Sequence, residues 1–72
     1  MDEHTKAARY EIRVRGTLGD LLLAAFPNLE EQVQLGETVL TGALQDQAAL
    51  FGVLAQIEAL GLELLDVRRM PS

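Results

Sequence analysis

The chain has no cysteine in its 72 residues. That excludes a disulfide framework, a thiolate nucleophile and a zinc–thiolate site. A small domain without such staples fits a reducing compartment, so a cytoplasmic setting is expected. Tryptophan is absent too, and Tyr10, Phe26 and Phe51 are the only aromatic residues. Stacking of nucleic-acid bases has little to work with. The one histidine, His4, stands in a polar N-terminal stretch, so it is expected to be solvent-exposed and not a ligand or base. Lys6 is the single lysine. The net charge of −5 disfavours attraction to nucleic acids or anionic membranes. No apolar run reaches the ~20 residues that span a bilayer. The start, MDEHTKAARY, has no hydrophobic core of the kind a secretion signal carries, so no signal peptide is expected.

What remains is rich in apolar residues, 49% of the chain, enough to argue against disorder. The length allows one small core, and a domain of this size gains stability from association. The expected division is a loose tail over residues 1–8 and a single domain over 9–70.

The stretch from Glu37 to Val67 organises the rest. Asp46 stands before a helical pattern and is placed to cap it. Leu50, Val53, Leu54, Ile57 and Leu60 follow at the spacing of one helical stripe. Gly61 supplies the left-handed stop, and Leu62 can fold back on the last turn. Upstream, Tyr10–Arg15 alternates, with Tyr10, Ile12 and Val14 inward and Glu11, Arg13 and Arg15 outward. Thr17 opens a capping-box-like T-L-G-D, and Leu18, Leu21, Leu22, Ala25 and Phe26 share a face, which predicts a short helix ending before Pro27. Glu31–Leu35 alternates again, with Val33 and Leu35 inward. Gly36-Glu37 fits a two-residue type II′ turn into a strand over Thr38–Leu44, in which Gly42 marks a bulge or a close backbone approach. Glu63–Met70 is the last strand, read with Leu65 and Val67 inward and Leu64 on the outer face.

The order is therefore β-α-β-β-α-β. Right-handed crossovers then give an α+β, ferredoxin-like domain: a four-stranded antiparallel sheet, order 4-1-3-2, with two helices on one face.

Two surfaces invite a functional reading. On the long helix, the side away from the stripe carries Ala48, Phe51, Gly52, Ala55 and Ala59, where charge would be usual. One reading is that alanine is a good helix former that tolerates water. The other is that these residues, with Leu64, form a partner interface in which small side chains admit close approach. On the open sheet face, Arg13, Arg15 and Arg68 should lie side by side near Glu11 and Asp66. They form either a solvated charge ladder or a patch for an acidic partner or anionic ligand.

Catalysis finds no foothold. No histidine in the folded part can activate a hydroxyl, and no spacing singles out an acid–base pair among Glu30, Glu31, Glu37, Glu58, Glu63 and Asp66. Gly16 and Gly19 read as turn punctuation, since a phosphate loop needs more of its pattern. Neither a metal site nor a cofactor is expected.

Residues 39–67, VLTGALQDQAALFGVLAQIEALGLELLDV, resemble small uncharacterised actinobacterial proteins of about this length, a resemblance that implies no activity. The element order is similar to that of an ACT-type regulatory domain. That resemblance implies a small effector bound at the loop after the first strand, here Gly16, Thr17 and Leu18. V-L-T-G at 39–42 followed by G-L-x-L-L-D-V at 61–67 resembles a BON domain, which implies envelope or phospholipid contact. The expectation taken forward is a non-catalytic domain that works by association, as a homodimer or an accessory subunit of a larger protein, with an ACT-like effector module as the alternative.

Overall fold

A computed structural model describes residues 8–71. The expected loose segment, His4 included, lies outside the described residues apart from Ala8, which opens the first strand. The elements are β1 (Ala8–Arg15), α1 (Asp20–Leu23), β2 (Glu30–Gln34), β3 (Glu37–Leu44), α2 (Gln47–Ala59) and β4 (Leu64–Arg69). The strands form one antiparallel sheet in the order β2-β3-β1-β4.

β1 sits between β3 and β4, and its alternation is the backbone of the core. Ile12 and Val14 are fully buried, with Leu40 and Thr38 opposite them on β3. Leu44, Leu50, Ile57, Leu18 and Phe26 complete the cluster, with Tyr10 and Val67 packed against it. α2 forms for the reasons its sequence supplies. The Asp46 carboxylate accepts the Ala49 N–H at 2.8 Å, satisfying one donor of the first turn. At the other end Gly61 takes φ +78, the Leu62 N–H donates to the Ile57 carbonyl and the Gly61 N–H to that of Glu58. This paired closure is the Schellman motif.

The ferredoxin-like expectation, two helices on one face of a sheet ordered 4-1-3-2, is corrected by this structure. A sheet ordered 2-3-1-4 carries a single helix of several turns, α2. The departure lies in the helical layer. α1 is four residues long, begins after Gly19 without a side-chain cap, and leaves Thr17 outside it. Ala25 and Phe26 then donate to Leu22 and Leu23, bonds of the tighter i→i−3 kind. A lone helical turn is costly to nucleate, and Pro27 disfavours helical backbone at Phe26. Leu18 and Phe26 reach the core from either side of this turn, so burial does not require a longer helix.

Two strand registers also differ from expectation. The β2–β3 turn is Leu35-Gly36, closed by the Gln34–Glu37 pair, with φ +46 and +81. Positive φ at both central residues marks type I′, not type II′. Moving the turn back by one residue flips β3, because side chains alternate with period two. Thr38, Leu40, Gly42 and Leu44 thus share the core face with Val14, Ile12, Tyr10 and Ala8, and Glu37, Val39, Thr41 and Ala43 face the open side. In β4 a bulge interrupts the pairing where Arg13 gives way to Val14, so that Leu64 comes opposite the inward Val14. Leu64 therefore stands on the helix side of the sheet, where it lines a groove with α2, and not on the open face.

Gly42 is a close approach and not a bulge. A side chain there would meet the Asn28 carbonyl oxygen and Leu29 Cδ2, each at 2.7 Å. The chain leading into β2 crosses over β3 at this point.

Candidate functional site

α2 lays one narrow edge on the sheet. Of its thirteen residues only Leu50 and Ile57 are buried. Ala49, Val53 and Leu54 are half-buried against the core. The opposite side is exposed: Ala48, Phe51, Gly52, Ala55 and Ala59 all face away from the domain. Phe51 is 57% exposed and Leu64 43%. An amphipathic surface helix should be polar on that side, and an apolar-all-round helix is normally enclosed.

The exposed residues are not scattered. Phe51, Leu54, Ala55, Ile57, Leu62 and Leu64 line an open groove of about 530 Å³ between α2 and the start of β4, with Glu58 the one charged residue among its walls. The β4 bulge builds one wall by turning Leu64 to this side. The C-terminal closure of α2 builds the floor by folding Leu62 under the helix. Three of the six residues expected at a partner interface, Phe51, Ala55 and Leu64, are brought together here. Ala48, Gly52 and Ala59 lie outside the groove on the exposed part of the same helix.

The open face of the sheet has a different character. Arg13 donates to Glu11 Oε2 at 2.8 Å and to Glu37 Oε1 at 3.1 Å. Arg15 donates to Glu63 Oε1 at 2.8 Å, and Arg68 to Asp66 Oδ2 at 3.5 Å. Each of the three arginines is thus matched by a carboxylate. The hydrogen bond from Glu37 raises the Arg13 pKa, loss of hydration lowers it, and Glu11 raises it again. An arginine whose pKa is raised lends its stabilisation below its ordinary pKa and loses it only as pH climbs through the raised one. Arg13 therefore stays a cation throughout the physiological range. Beneath this ladder Val39 is buried, although it faces away from the main core, opposite Arg13 and Gln32. The aliphatic stem of an arginine can cover apolar surface in this way. The outward residues of β1 and β3 include no aromatic ring, which a base-stacking sheet requires.

The loop Gly16-Thr17-Leu18 is occupied with structure. The Gly16 carbonyl accepts the Thr38 hydroxyl at 2.7 Å, and its N–H donates to Gly36 at 2.6 Å. Leu18 is buried in the core. Thr38 is itself fully buried, so this bond satisfies a polar group that would otherwise be stranded. A second hollow, of about 310 Å³, lies beside the N-terminus of α2 between Tyr10, Asp46 and Arg69.

One exposed residue escaped sequence reasoning. Leu35 is fully exposed at the tip of the β2–β3 hairpin, in a left-handed conformation that leucine rarely adopts. The Leu-Gly pair at the end of an alternating run was the available signal.

Among the described residues, no group of three or more His, Cys, Asp or Glu side chains is placed to hold a metal ion. No described helix is long and apolar enough to cross a membrane. No curated protein and no solved structure matches the chain. One family does match, over residues 9–68, a span that takes in all six elements from β1 to β4. The chain belongs to that family, which is described as Domain of unknown function (DUF8691).

Proposed function

We propose that this domain is a non-catalytic association module of the cytoplasm, and that the exposed side of α2 docks a second copy of itself. The observation that carries the reading is the pairing of an apolar outer helix face with the adjoining groove at Phe51, Ala55 and Leu64. Contiguous apolar surface of this kind marks interaction sites on small proteins. The small side chains at Ala48, Gly52, Ala55 and Ala59 let a facing helix come to the short end of the usual 8–10 Å separation.

A second copy is the partner favoured by charge. A two-fold contact sets a patch against itself, so a patch with several like charges would repel its mate. The exposed side of α2 carries only Glu58. A partner chosen by opposite charge would find almost nothing to recognise there. The core also favours association: nine buried hydrophobic side chains are few for an independent domain.

The test is Ala55→Glu against Ala55→Ser, by sedimentation equilibrium. A carboxylate at the centre of a dry contact is costly, whereas serine is small and neutral. We expect the glutamate variant to be monomeric and the serine variant to associate nearly as the parent does. Unchanged association of Ala55→Glu would remove α2 from the interface.

A further inference from the structure

The two edges of the sheet are unlike. β2, at one edge, is exposed along its length and carries Glu30 and Glu31. β4, at the other, carries Arg68 and Arg69. Every neighbouring pair in the sheet is antiparallel, so β2 runs antiparallel to β4. A second copy set beside the first in the same orientation would bring β4 of one against β2 of the other as an antiparallel pair.

The internal register says what such a pair would align. Glu30 is level with Thr41, Glu11 and Arg68, and Gln32 with Val39, Arg13 and Asp66. Val33 is level with Thr38, Val14 and Leu64. Glu30 would therefore face Arg68. Val33, 49% exposed, would meet the exposed Leu64 on the helix side.

The hydrogen-bonding phase agrees. The Met70 N–H donates to Arg9, which turns every second residue of β4 toward β1 and leaves the Val67 backbone facing outward. The two-residue turn makes Gln34–Glu37 a bonded pair, which leaves Glu31 and Val33 facing outward on β2. Glu31 and Val67 stand at the same level, so each offers the other a free N–H and C=O. The β4 bulge lies below this stretch and leaves the Arg68, Val67 and Asp66 positions regular. A β2–β2 contact would instead set acidic strands against each other.

We infer that the sheet edges form a second interaction surface, on which β2 of one copy adds to β4 of the next, head to tail. This contact is separate from the α2 face. Gln32 and Asp66 would form a pair without backbone hydrogen bonds, where side chains come closest. The chain has no cysteine of its own, so introduced thiols report without interference.

The experiment mixes equal amounts of Gln32→Cys and Asp66→Cys chains, oxidises them mildly and counts disulfides by mass spectrometry. We expect the mixed disulfide to exceed either symmetric one by roughly tenfold, set by opposite against like charge across the strands. Random pairing gives only about twofold. Glu30→Arg in the Gln32→Cys chain should return the yield to random, and Arg68→Glu in the other chain should restore it. Random proportions at the outset, or selectivity indifferent to both reversals, would overturn the inference. The mixture is repeated with Ala55→Glu in both chains, which removes the α2 contact. Retained selectivity there supports a separate edge surface whatever the fate of the α2 reading, and its loss would overturn the edge as a surface of its own.

Discussion

Glycine-to-alanine exchange should have opposite signs at two positions of this chain. At Gly42 the new Cβ would lie 2.7 Å from the Asn28 carbonyl oxygen, 2.7 Å from Leu29 Cδ2 and 3.3 Å from Leu29 Cα. The Leu29 methyl can swing aside. The carbonyl is backbone and cannot, so either the 28–29 segment lifts or β3 bows. Overpacking of this kind costs about 1–3 kcal/mol. Restricting the unfolded chain returns about 0.4–1 kcal/mol. The net expectation for Gly42→Ala is a loss of about 1–2 kcal/mol. At Gly52, in the exposed middle of α2, nothing lies within 4 Å of the new Cβ. There alanine should add about 1 kcal/mol from helix propensity alone. Urea unfolding followed by circular dichroism measures both. With a slope of about 1 kcal/mol per molar, the midpoints should move about 1–2 M down and about 1 M up. The comparison belongs in the Ala55→Glu background, because association would add its own concentration-dependent stability. A Gly42→Ala protein as stable as its parent would refute the close crossing over β3.

Leu35→Asn should stabilise the chain by about 1 kcal/mol, since asparagine accepts left-handed backbone more readily than leucine and Asn-Gly is the favoured type I′ pair. Thermal unfolding should rise by about 4–8 °C, and no rise would count against the turn assigned at Leu35-Gly36. Asp46→Ala should cost about 1 kcal/mol through loss of the cap on α2, read as a lower urea midpoint, whereas Asp46→Asn should retain most of it.

The parts of this fold legible in the sequence are those where one physical demand acts alone. β1 alternates because one face is buried and the other is charged, and no second pattern competes. α2 announces its start at Asp46 and its stop at Gly61 by residues whose chemistry suits those ends, and both interactions form. The exposed residues of α2 were readable for the same reason: the stripe at Leu50 and Ile57 fixes what lies opposite it.

Elsewhere two demands overlapped. Leu18 and Phe26 satisfy a helical spacing, but a single turn also delivers both to the core, and the energetics of a short uncapped helix favour the turn. β3 is apolar on both faces because Val39 is roofed by the Arg13 ladder, so alternation could not choose its register. The choice fell to the turn, where leucine in a left-handed conformation runs against local preference. In β4 the adjacent Leu64 and Leu65 concealed a bulge, which moved Leu64 from the expected open face to the groove beside α2. That shift adds to the candidate site, because the groove depends on a residue that a regular strand would have pointed away.

The most direct test of association is the molar mass of the unmodified chain by light scattering over a wide range of concentrations. The mass should rise from the 7.9 kDa of a single chain to at least twice that value as concentration increases. A constant 7.9 kDa up to the highest concentrations would contradict self-association and leave the apolar side of α2 without its proposed partner.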